Sequence, residues 1–69
     1  MFSVEWLRHG VTVEQETSAL VSLAEAVDAA RWRAETVVAR HPLDEPDSFR
    51  LVDPTGAVRI TFTFLLERG

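Results

Sequence analysis

Cysteine, lysine and tyrosine are all missing from this 69-residue chain, and glycine and proline number only three each. Without cysteine there is no disulfide and no thiolate metal centre. Without cysteine, lysine or tyrosine, the candidate nucleophiles reduce to scattered serine and threonine hydroxyls. None of these sits in a Gly-x-Ser-x-Gly elbow. Gly10, Gly56 and Gly69 are too dispersed for a phosphate-cradling loop. No apolar run reaches the ~18 residues that a membrane-crossing helix needs. The opening Met1-Phe2-Ser3-Val4-Glu5 has no charged segment followed by an apolar one. No signal peptide is therefore expected, and the cytoplasm is the default location.

What is there describes one domain, residues 1–69, of ordinary globular composition: 46% hydrophobic and 26% charged. A domain this small buries only about 60% of the surface its unfolded chain exposes. Its stability margin is thin, and self-association as a homodimer is one way to widen it. The net charge is −4. The basic residues are seven arginines, Arg8, Arg31, Arg33, Arg40, Arg50, Arg59 and Arg68, spread along the chain among eleven acids. Nucleic-acid binding draws most of its affinity from phosphate neutralisation, so this balance argues against DNA or RNA as the main partner.

Period-2 alternation marks strands at 2–8 (Phe2, Val4 and Trp6 on one side) and 11–16, with a tight turn at His9-Gly10. A helix follows. Ser22-Leu23-Ala24-Glu25 fits a capping box and starts it near residue 23, with Thr17 or Ser18 as the alternative cap. Pro42 disfavours helical geometry at His41 and ends it near Arg40. At about 100° per residue, Leu23, Val27, Ala30, Ala34, Val37 and Val38 form one stripe, with Glu25, Asp28, Trp32 and Glu35 on the opposite half. After a Pro-rich acidic loop, 48–52 reads as a third strand. Asp53-Pro54-Thr55-Gly56 is a turn with Asp at its first position, Pro at its second and Gly at its fourth. Residues 57–65 read as the fourth strand, with Val58, Ile60, Phe62 and Phe64 alternating against polar residues.

The reading is α+β: a β-β-α-β-β chain with a four-stranded, mainly antiparallel sheet and one helix, about 23–40, on one face. The expected core is Phe2, Val4, Trp6, Val11, Val13, Leu23, Val27, Ala30, Ala34, Val37, Phe49, Leu51, Val58, Ile60, Phe62 and Phe64. The outer face should carry Ser3, Glu5, Leu7, Thr12, Glu14, Arg50, Arg59, Thr61, Thr63 and Leu65, with Glu/Arg pairs across strands. Strand order stays open.

Candidate chemistry is sparse. His9 and His41 are the only histidines, and no ligand set of three or four accompanies either, so no metal is expected. Asp44, Glu45 and Asp47 lack the calcium-loop spacing and read as a solvated connection. No cofactor is implied, and an enzyme is not expected. Trp32 is the most informative residue. It lies roughly 140° around the helix from Val27, a large aromatic among acids, and tryptophan is enriched in protein interfaces. The candidate interaction surface is Trp32, Asp28 and Glu25, with Leu7 and Leu65 as a second apolar contact on the outer sheet face. The partner would be another protein or a second copy. The alternative is a nucleic-acid accessory role through Arg8, Arg50 and Arg59 on the outer face.

The Phe2-Ser3-Val4 opening, Leu23-Ala24-Glu25-Ala26 with Ala30, and the Asp53-Pro54-Thr55-Gly56 turn before a closing apolar strand together resemble a class of small bacterial β-β-α-β-β proteins. That resemblance implies the fold and brings no assigned activity with it. A weaker similarity links the chain to antitoxin-type domains that pack one helix on a small antiparallel sheet. The basic arm that such domains often use on DNA has no counterpart here, so the similarity supports partner binding at most.

Overall fold

The computed structural model describes residues 1–19 and 21–64. Its elements are β1 (Phe2–Arg8), β2 (Val11–Ser18), α1 (Leu23–Arg40), β3 (Ser48–Val52) and β4 (Val58–Thr63). All neighbouring strands are antiparallel, in the order β2-β1-β3-β4. The α+β, β-β-α-β-β reading therefore holds. The helix connection places β1 beside β3, so the two hairpins join through their first strands.

Local chemistry sets the element boundaries. The β1–β2 turn has φ 51° at His9 and 81° at Gly10. Two left-handed residues in succession give the turn twist that a two-residue hairpin favours. The Asp47 carboxylate holds the strained His9 by accepting its backbone N–H at 3.2 Å. Ser22 is the helix N-cap, and its Oγ accepts from the Glu25 N–H at 3.4 Å. At the other end the His41 N–H donates to the Val38 carbonyl at 3.1 Å, and Pro42 follows.

The core forms where α1 lies over β1 and β3. Trp6, Phe49, Leu51 and Val37 are fully enclosed, and Ala26, Ala30 and Ala34 bring the helix close to the sheet. The Trp6 and Phe49 rings meet at 5.3 Å, and Phe49 stacks on Phe62 at the same distance. Ile60 and Phe62 of β4, and Phe64 just after it, pack against this cluster but remain half-buried.

Two irregularities correct the expected faces. The β1–β2 register shifts between Trp6 and Leu7, so Trp6 pairs with Glu14 while Leu7 pairs with Thr12. The extra residue, Val13, stays against the core, but from there on Glu14 and Glu16 face the helix. Glu14 therefore does not lie on the outer face, and Val11 is 66% exposed rather than core. A second shift, between Leu51 and Val52, leaves Arg59 as the extra residue and Val58 51% exposed, also outside the core. Leu7, expected on the open outer face, is only 4% exposed.

Candidate functional site

Trp32 stands on the face of α1 opposite the buried alanines and is 87% exposed. The 18-residue helix holds it there because its apolar stripe commits the other face to the sheet. Beside it runs an open groove of about 460 Å³ lined by Asp28, Arg31, Trp32, Ala34 and Glu35. Arg31 closes the sheet side of this groove, with its guanidinium 5.2 Å from the centroid of the Phe62 ring. The groove thus combines one indole, two carboxylates and an arginine already laid on an aromatic ring. It has charges to orient a partner and an aromatic surface to anchor one. It contains no nucleophile next to a base.

Of the five residues expected to form an interaction surface, the structure brings Trp32 and Asp28 together. Glu25 is exposed one turn nearer the helix start, where its N–H is held by the Ser22 cap. Leu7 lies on the far side of the sheet and is buried, so it adds nothing to this surface. Leu65 lies outside the described residues.

The three arginines of the nucleic-acid alternative are each engaged. Arg50 sits opposite Glu5 across β1 and β3 and bonds it at 2.5 Å. Arg59 lies 3.4 Å from Asp53, and Arg8 donates to the Glu45 carbonyl at 2.9 Å. Glu5 and Asp53 match the charges of Arg50 and Arg59, while the partner of Arg8 is a neutral carbonyl.

The most connected group of polar side chains was not visible in the sequence. Glu16, on the edge strand β2, accepts from the buried Trp6 Nε1 at 2.8 Å and from Arg33 Nε at 3.1 Å, with a second Arg33 contact at 2.8 Å. Two residues along, Glu14 binds Arg40 and meets His41 Nε2 at 2.8 Å. These carboxylates tie β2 to the helix along its length. The only sequence signal for them was the acidic Glu14-Gln15-Glu16 run opposite a helix with Arg33 and Arg40. Reading it required the bulge. Between this row and the helix lies a crevice of about 80 Å³ with Ala26, Ala29 and Ala30 in its wall. That is well below the ~300 Å³ at which small-molecule sites begin.

One titration is strongly perturbed. Asp53 is held at about 2, below its usual 3.8, chiefly by the Thr55 hydroxyl. Desolvation, next in size, opposes the shift, and the backbone N–H groups of Ala57 and Thr55 and the Arg59 guanidinium add to it. The bonds define a β-turn, with Gly56 N–H on the Asp53 carbonyl at 2.9 Å and Gly56 at φ 91°. Asp53 is therefore a turn-forming residue. Among the described residues no group of three or more His, Asp or Glu side chains converges as a metal site, and no helix is long and apolar enough to cross a membrane.

Comparison with protein-family models, curated proteins and solved structures gives no match.

Proposed function

We propose that the chain is a small non-catalytic protein-interaction module that meets its partner through Trp32 and the adjoining groove. The observation that carries this reading is the 87% exposure of Trp32 on a helix whose other large apolar residues turn inward. Indole side chains supply large contact areas at low entropic cost and recur as interface anchors. Asp28, Glu35 and Arg31 around it give the polar rim that such anchors commonly have.

The test is capture by the immobilised protein from a native lysate, with Trp32→Ala and Leu43→Ala run in parallel. Leu43 is 95% exposed in the loop after α1 and serves as an exposed apolar control. A protein retained by wild type and Leu43→Ala, but lost from Trp32→Ala with unchanged thermal unfolding, supports the reading. Equal capture by all three, or by none, removes it.

A further inference from the structure

The two edges of the sheet are not equivalent. The β2 edge carries a bulge and two carboxylates, Glu14 and Glu16, turned toward the helix. Bulges and inward-pointing charges are the devices that keep edge strands from pairing with other chains. The β4 edge has weaker protection. Its bulge lies at its start, at Arg59, and from Ile60 to Thr63 it runs in regular register with no charge and no proline.

The hydrogen-bond phase shows which groups this edge offers. Phe64 N–H donates to the Asp47 carbonyl at 2.9 Å, on the side of β3. Hydrogen-bonded pairs alternate in an antiparallel ladder, so Phe62 and Ile60 also turn their backbone groups to β3. Thr61 and Thr63 therefore turn theirs away from it. No strand among the described residues lies on that side.

We propose that β4 pairs with β4 of a second copy, antiparallel about a two-fold axis at Phe62, which joins two four-stranded sheets into one of eight. This register sets Thr61 of each copy opposite Thr63 of the other and uses all four outward N–H and C=O groups of the regular stretch. Phe62 faces its own counterpart and Ile60 faces Phe64, which covers the half-buried apolar row that α1 leaves at this side. Arg59, the strand's one charge, lies outside these pairs and stays with Asp53. The alternative axis at Thr61 would need bonds through Arg59, where the bulge spoils the ladder. A single strand pair falls at the low end of specific interfaces, below about 1,200 Å², so the association is weak and concentration-dependent.

Sedimentation equilibrium in about 0.15 M salt, from roughly 10 μM to 1 mM, is the test in that weak regime. The wild-type mass should rise from 7.8 kDa toward twice that value. Thr61→Pro removes only an outward N–H and should weaken association at least about tenfold while the circular dichroism stays that of the folded chain. Two doubly substituted chains test the β4–β4 contact without proline: Thr61→Lys with Thr63→Lys, and Thr61→Glu with Thr63→Glu. Each should be monomeric alone, and the two mixed should form a heterodimer. The self-contact adjoins the Trp32 groove through Arg31, which lies on Phe62, but does not include Trp32, so Trp32→Ala should dimerise as wild type does. A wild type that stays monomeric to 1 mM overturns the proposal. So do doubly charged chains that self-associate normally, a mixture that fails to associate, or loss of the dimer in Trp32→Ala.

Discussion

Asp53 shows how one side chain can make a turn pH-dependent. Its folded pKa of about 2 is depressed below the ordinary 3.8, so its stabilisation is fully present above the ordinary value and disappears as pH falls through the folded one. Between about pH 4 and 2 the β3–β4 turn should loosen, and Asp53→Asn should flatten that part of the acid-unfolding curve. The two carboxylates of β2 are expected to differ in weight. Glu16 satisfies the N–H of a fully buried indole, and its loss leaves that donor unpaired, at about 1–3 kcal/mol. Glu14 joins exposed Arg40 and partly exposed His41, and such pairs contribute about 0–1 kcal/mol. Urea unfolding should therefore rank Glu16→Ala as clearly more destabilising than Glu14→Ala, and a reversed order would contradict the assigned roles. Trp32 was legible from its place on the helical wheel because a side chain opposite the apolar stripe has nothing to pack on. The roles of Glu14, Glu16 and Leu7 were not legible. They depend on which strand stands beside which, and at what register.

The helix was the most readable element. Its start is written in Ser22 and Glu25, its end in Pro42, and its buried face in the spacing of Ala30, Ala34, Val37 and Val38. Ala26, outside the expected stripe, is nonetheless buried, and Leu23 and Val27 are half-buried. The capping geometry makes Ser22→Ala cost about 1 kcal/mol in thermal unfolding. Ala30, 3% exposed between helix and sheet, has no room to grow, so Ala30→Leu should cost about 1–3 kcal/mol by overpacking. An unchanged midpoint there would mean that the helix stands further from the sheet than described. The strands were less readable. Alternation located all four, but a single extra residue reverses every later side chain. That is why Val58, a core residue by alternation, lies in the open, and why Glu14 points inward; Val11 keeps its expected face opposite Arg8 but is exposed beside the hairpin turn. Bulges leave no compositional mark in β2 or β4, and only the ladder reveals them.

At the scale of the molecule the margin is small. A chain of this length holds about 3–10 kcal/mol of folding free energy, from the usual ~0.05–0.15 kcal/mol per residue. Phe49 is fully enclosed and touches Trp6, Phe62 and Phe64. Its truncation to alanine costs about 3–5 kcal/mol, enough to leave much of the population unfolded at 25 °C. Loss of the cooperative thermal transition in Phe49→Ala would show it. The fold class followed from the order of periodic segments, while the strand order did not, because either strand of the first hairpin could in principle have met β3. That order has a consequence during synthesis. β1 leaves the ribosome before the other strands described, yet one of its two neighbours, β3, lies some forty residues downstream. Until Ser48–Val52 emerges, Phe2, Val4 and Trp6 have only a hairpin partner and a helix. Until then the nascent chain carries Phe2, Val4 and Trp6 without the strand that closes their far side, so completion of this core waits on β3.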